Sequence, residues 1–147
     1  MKAKKYELNF IKKEKIGKDT YEFYFKRPPK FKFKSGQYLK IFLSHEKSDI
    51  RGTSRYFTIS SSPSDLSFLV ITTKVVKSSF KKKLHSLKKG DMVSAFGPIG
   101  YFNFNIKNKK NKLFLAGGIG LTPYHSVIKT YKKNKSIRVC LFVSFPS

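Results

Sequence analysis

Arg55-Tyr56-Phe57-Thr58 sits inside the longer run Arg51–Pro63 (RGTSRYFTISSSP) and sets a guanidinium, two rings and a hydroxyl on successive positions. An arginine carries a planar fork of donors that meets the oxygens of a phosphate or carboxylate two at a time. A hydrophobic core has little use for that fork beside an aromatic–threonine pair, whereas a bound anion next to a flat ring has. The residues Tyr56 to Ile59 are strand formers, and Ser61-Ser62-Pro63 stops them. The chemistry on offer is the grip of a flat, charged ligand at the start of a strand.

Other stretches carry chemistry of their own. Ala116–Pro123 (AGGIGLTP) falls between an apolar run and residues at helical spacing, and its small residues let a pyrophosphate approach the backbone N–H groups. It departs from the G-x-G-x-x-G spacing, because Thr122 or Pro123 stands where a third glycine belongs, and a plain tight turn competes as its explanation. Gly97–Phe102 (GPIGYF) reads as a turn with an aromatic end. His45, His85 and His125 fall on a loop and two helices without ligand spacing, so no metal site is expected. The 8 acidic residues are too scattered for a carboxylate pair, and Ser60, Ser61 and Ser62 lack the glycines of a nucleophile elbow.

The elements that would position these residues are mostly strands. Tyr21, Phe23 and Phe25 alternate with Glu22, Tyr24 and Lys26, the period of a half-buried strand, and Arg27-Pro28-Pro29 ends it. Leu39, Ile41 and Leu43 alternate in the same way after the Ser35-Gly36 turn. His45–Thr53 reads as a loop, and further strands are expected at Tyr56–Ile59, Ser67–Thr73, Met92–Phe96 and around Tyr6–Ile11. One helix interrupts them, with Phe80, Leu84 and Leu87 on one face, Ser78 or Ser79 as its cap and Gly90 at its end. Lys81, Lys82 and Lys83 in the first turn oppose the macrodipole, which suits either a nearby anion or a solvated lysine face.

The composition then changes. Ile106–Lys112 (IKNKKNK) reads as a linker, and Leu113–Ala116 as a strand buried on both faces. Thr122-Pro123 forms an N-cap and first-position pair for a helix carrying Tyr124, Val127, Ile128 and Tyr131, and Ile137–Val143 is a further strand. This strand–loop–helix–strand unit opens a parallel nucleotide-binding sheet and reads as incomplete.

Composition bounds the function classes. A chain of 147 residues with 39% hydrophobic and 16% aromatic residues builds a real core, and no apolar run approaches a membrane span. The N-terminus lacks the apolar stretch of a signal peptide, and the single Cys140 excludes an internal disulfide framework, which fits a cytoplasmic location. The net charge of +24 is almost all lysine and spread along the chain, so a compositional origin is preferred over a focused nucleic-acid site. A basic surface also steers an acidic partner protein or a phosphate-bearing cofactor.

In order, RYFTISSSP, ITTK at Ile71–Lys74, SSFKKKL at Ser78–Leu84, GPIGYF and LAGGIGLTP resemble the ferredoxin–NADP reductase family of flavin oxidoreductases, and FKFKSGQYLKIFL resembles the strand before its flavin loop. The resemblance runs from about Gln37 to Val143. It implies a mainly β fold, an antiparallel six-stranded flavin-binding barrel over 1–108, followed over 109–147 by the beginning of an α/β nicotinamide-binding domain. FAD is the implied cofactor, with FMN as the variant, and NAD(P)H the implied substrate. Electrons would pass to ferredoxin, flavodoxin or a fused redox domain, an acidic electron-transfer partner suiting the charge. No nucleic acid is expected; a basic nucleic-acid-binding barrel and an inactive fragment are the alternatives.

The family assigns roles by position. Arg55 would hold the flavin's phosphates, with Tyr56 beside it; Phe57 would pack on the isoalloxazine, and Thr58, the catalytic candidate, would stand near flavin N5. Ile71, Thr72 and Thr73 would line the flavin through their backbone, and Ser79, Phe80 and Lys81 would receive the pyrophosphate. Gly117, Gly118, Gly120, Thr122 and Pro123 would form the nicotinamide-cofactor loop. The family's later elements, a Cys-Gly segment and a C-terminal aromatic over the flavin, are absent from this sequence.

Overall fold

The computed structural model describes residues 2–45, 50, 52–102, 111–131 and 138–144. Six strands form one antiparallel sheet: β1 Lys4–Gly17, β2 Thr20–Lys26, β3 Tyr38–Phe42, β4 Ser54–Thr58, β5 Phe68–Lys74 and β6 Met92–Ile99, in the order β4-β3-β6-β1-β2-β5. An isolated bridge between Ile59 and Ile71 joins the two edge strands and closes the sheet into a barrel. β1 makes this possible. Its first half pairs with β6 and its second half with β2, and the register shifts between Phe10 and Lys12 where it changes partner.

Alternation decides which side chains fill the barrel. Leu8, Phe23, Phe25, Leu39, Ile41, Ile59, Leu69 and Ile71 are fully buried or nearly so. Each such side chain contributes about 1.5–3 kcal/mol by leaving water. α1, Ser79–His85, adds Phe80 and Leu84, both wholly enclosed, to the same core cluster. Ser78 is the cap, accepting from the backbone N–H of Lys81. Two expectations change here. The helix ends at His85 with Ser86 as its C-cap, so Gly90, at φ +96°, serves the turn before β6 instead. In so short a helix Lys82 and Lys83 fall in the last turn, where positive charge is favoured.

The expected turn at Gly97–Phe102 is also redrawn, because Gly97, Pro98 and Ile99 continue β6. Close approach favours glycine at Gly97. A Cβ there would lie 2.6 Å from Leu39 Cδ2.

A second, smaller unit follows: β7 Lys112–Gly117, a 3-10 turn Gly118–Leu121, α2 Thr122–Tyr131 and β8 Val139–Ser144, with β7 and β8 parallel. Residues 106–110 of the expected linker, the proposed boundary at 108/109, and Ile137 and Arg51 lie outside the described residues. The apolar run in β7 is covered on one face only. Phe114 is buried, but Leu113 and Leu115 are 62% and 67% exposed. Thr122 is already helical (φ −55°, ψ −44°), and its hydroxyl donates to the Ile119 carbonyl at 2.9 Å, so it is not the expected N-cap.

α2 docks on the barrel through hydroxyls. Ser126 Oγ donates to the Ser61 carbonyl at 2.7 Å, and Thr130 Oγ1 lies 3.0 Å from both Ser35 Oγ and Ser62 Oγ. Tyr124 adds ring contacts with Phe114 and Phe102 at 4.6 and 5.6 Å between centroids.

Candidate functional site

β4 pairs with β3 so that Ile41 lies opposite Arg55, Leu39 opposite Phe57, Lys40 opposite Tyr56 and Tyr38 opposite Thr58. Directly opposed residues share a face. Arg55 and Phe57 therefore join the inner face of Ile41 and Leu39, while Tyr56 and Thr58 face outward with Lys40 and Tyr38.

The inner pair meets α1. Arg55 Nη1 donates to the carbonyls of Gly52 and Ser54 at 2.8 and 2.7 Å, and its Cζ lies 5.2 Å from the centre of the Phe80 ring. Phe57 stacks on the same ring at 5.9 Å and 28°. Phe57 is only 6% exposed, its ring largely covered by neighbouring side chains. The ring this strand presents outward is Tyr56, 61% exposed.

On that outer side Tyr38, Tyr56 and Thr58 line an open cavity of about 210 Å³. The two tyrosine rings meet edge to face at 5.5 Å. Lys40 Nζ hovers 5.5 Å from the centre of the Tyr56 ring. The Thr58 hydroxyl has no side-chain hydrogen bond among the described residues, although it borders this cavity. A hydroxyl in that position is free to donate to a ligand.

The β5 side chains are committed elsewhere. Ile71 and Thr73 point into the barrel at 0% and 4% exposure, and the Thr72 hydroxyl donates to Ser60 Oγ at 2.8 Å. At α1, Phe80 is fully enclosed, so its side chain reaches no ligand, and Lys81 Nζ donates to the Lys74 carbonyl at 2.9 Å, tying the helix to the end of β5. Ser79 is half-buried at the first position of the helix.

The glycine loop has a different geometry. A Cβ added at Gly117 or Gly120 would meet nothing within 4 Å, so this chain's own packing does not demand glycine there. Gly118 adopts φ +49°, which does favour glycine. Thr122 and Pro123 form the first turn of α2. The loop leaves room for a bulky ligand against its backbone. It belongs to the second unit, and the Ser126–Ser61 hydrogen bond connects that unit to the segment just after β4.

Two residues escape a reading by motif. Tyr38 forms a wall of the cavity, and its position out of phase with Leu39 and Ile41 was the available signal. Arg27 donates from Nε and Nη2 to the Phe31 carbonyl and from Nη1 to the carbonyls of Pro63 and Asp65. Its hydrogen-bond partners among the described residues are all main chain and its Cζ lies 5.2 Å from the Phe33 ring centre, so this guanidinium is a clamp between loops; burial pushes its pKa down, with Asp65 opposing. On α2, burial and then Lys129 hold His125 below the ordinary imidazole value, with Glu22 pulling the other way.

An anchored guanidinium, a hydroxyl with no partner among the described residues beside the exposed Tyr56 ring, and a glycine loop with open space above it fit a flat ring bearing phosphates. Residues 7–104 match the family model described as an oxidoreductase FAD-binding domain. The chain is 34% identical over 114 residues to the glycine betaine monooxygenase reductase subunit of Pseudomonas aeruginosa, covering 76% of this chain and 30% of that protein. In fold it is similar to a cytochrome P450 reductase of Amycolatopsis, at TM-score 0.82 and 19% identity, covering 99% of this chain and 44% of that one. It is likewise similar to phthalate dioxygenase reductase, at TM-score 0.79 and 21% identity, covering 97% and 44%. The chain thus spans less than half the length of each of these proteins. The nucleic-acid alternative finds no support in these matches. No helix among the described residues is long and apolar enough to cross a membrane.

Proposed function

The chain belongs to the oxidoreductase FAD-binding domain family, and from that premise we propose that it forms the FAD-holding part of an NAD(P)H-dependent flavin oxidoreductase that passes electrons to a one-electron acceptor. One observation carries the reading. Along a single strand, Arg55 is fixed by two carbonyls over the Phe80 ring, and Thr58 borders the Tyr38–Tyr56 cavity with no hydroxyl partner among the described residues.

In this reading Arg55 grips phosphate, with the main chain at Ser79 and Lys81 beside it, and FMN suits the same grip. Tyr56 would supply exposed ring surface, with Tyr38 beside it, and Thr58 would supply a hydrogen-bond donor to the flavin ring. Phe57 acts from beneath, through its stack on Phe80. Ile71, Thr72 and Thr73 contribute main-chain groups. Bound FAD would supply the redox chemistry, being able to exchange electrons both in pairs and singly. The protein orients that ring and tunes it through Thr58. Gly117, Gly118, Gly120, Thr122 and Pro123 would admit the nicotinamide cofactor's pyrophosphate close to the backbone.

The barrel is assigned to 1–108 and the nicotinamide unit to 109–147. The net charge of +24 favours an acidic electron-transfer protein or a fused redox domain as acceptor. A cytoplasmic location is inferred from the single cysteine. The test is direct: the purified chain is titrated with FAD and its visible spectrum recorded. Uptake with a structured, shifted flavin band supports the reading, and a protein that stays colourless at saturating FAD overturns it.

A further inference from the structure

Phe80 is fully enclosed, yet it is the common neighbour of two β4 side chains: the Arg55 Cζ lies 5.2 Å from its ring centre, and Phe57 stacks on it at 5.9 Å. His45 meets the same ring edge-on at 5.6 Å and 89°. Filling the core would need only apolar volume at this position. Leu84, one turn on and equally enclosed, does that without a ring.

The guanidinium is held from two directions. Carbonyls of Gly52 and Ser54 take hydrogens of Nη1, and the π-face of Phe80 lies against the guanidinium carbon. A ring face attracts a cation, and more strongly where water is excluded. Holding the fork in one orientation before a ligand arrives removes the ordering cost that a long flexible side chain otherwise incurs on binding. We propose that Phe80 is a positioning residue for phosphate recognition: from inside the barrel its ring fixes the Arg55 guanidinium for the phosphates of the flavin cofactor, without touching the cofactor. This rests on the reading of Arg55 as the phosphate grip.

The experiment measures binding of FAD and of riboflavin, which lacks phosphate, by fluorescence titration of wild type, Phe80→Leu, Arg55→Ala and the double variant. The thermal midpoint of each apo protein is recorded alongside. Phe80→Leu should weaken FAD binding roughly 3- to 10-fold, the worth of a cation–π contact of about a kilocalorie, and leave riboflavin unchanged. In the Arg55→Ala background it should have no further effect on FAD. Equal loss for both ligands, or a loss that persists without Arg55, would show that Phe80 matters only as packing and overturns the proposal. An Arg55→Ala protein with undiminished FAD affinity defeats the phosphate grip itself, a distinct failure. Should Phe80→Leu not fold, Phe80→Met, whose flexible thioether fills irregular gaps, carries the same comparison, and the same outcomes decide it.

Discussion

Ser126 on α2 donates its hydroxyl hydrogen to the Ser61 carbonyl at 2.7 Å, and both residues are buried, at 0% and 2% exposure. This bond links the glycine-loop unit to the segment that follows the Arg55–Thr58 strand. Ser126→Ala would leave a buried carbonyl without that donor, a loss of about 1–3 kcal/mol. The expected result is a lower urea midpoint with the folded far-UV spectrum retained. An unchanged midpoint would mean that α2 is held by its apolar contacts and the Thr130 hydroxyl, without need of the Ser126 bond.

Thr58 offers the reverse case. Its hydroxyl satisfies no partner among the described residues, so Thr58→Val should leave the apo thermal midpoint nearly unchanged. FAD affinity should fall by about 2- to 10-fold, the worth of one neutral hydrogen bond. Fluorescence titration checks the second part. A large drop in apo stability with unchanged FAD affinity would reassign Thr58 to the fold.

Two glycines separate structural from ligand-directed need. A Cβ on Gly97 would press against Leu39 Cδ2 at 2.6 Å and the Tyr38 carbonyl at 3.2 Å, so Gly97→Ala should destabilise the apo protein by about 1–3 kcal/mol through overpacking. A Cβ on Gly120 meets nothing. Gly120→Val should therefore spare the apo midpoint while weakening NAD(P)H binding, measured by titration of the FAD-loaded protein. Equal NAD(P)H affinity in wild type and variant would remove Gly120 from the cofactor loop.

These contrasts show what a linear reading could and could not reach. The inner faces of β2 and β3 were legible because Phe23, Phe25, Leu39 and Ile41 keep strict alternation. The second half of β1, KKEKIG, was not. It is almost uniformly polar and exposed, and only pairing with β2 makes it a strand. An apolar run such as Leu113–Ala116 signals a strand without revealing how many of its faces are covered. The RYFT motif marked the right strand, but which of its two rings faces outward follows from register with Leu39 and Lys40, a nonlocal fact. Glu22 is buried at 6% exposure with its carboxylate 2.5 Å from the Tyr24 hydroxyl, an arrangement that alternation alone assigns to solvent.

His125 is expected to lend the folded protein a pH-dependent stability. Burial and the nearby Lys129 disfavour its charged form in the folded protein, while Glu22 partly offsets them, and the net direction is a lowered pKa. An unfolded histidine titrates near about 6.5. Between that value and the folded pKa, the unfolded chain holds a proton that the folded chain does not, so stability falls as pH drops through the window. The contribution is fully present above the unfolded pKa and lost as pH falls toward the folded one. His85, lowered by burial and Lys13, acts in the same direction, so a single variant is needed to separate them. Thermal midpoints at pH 7.5 and 5.5 should differ less in His125→Gln than in wild type. Identical pH dependence in the two proteins would assign the acid sensitivity to His85 or to the carboxylates.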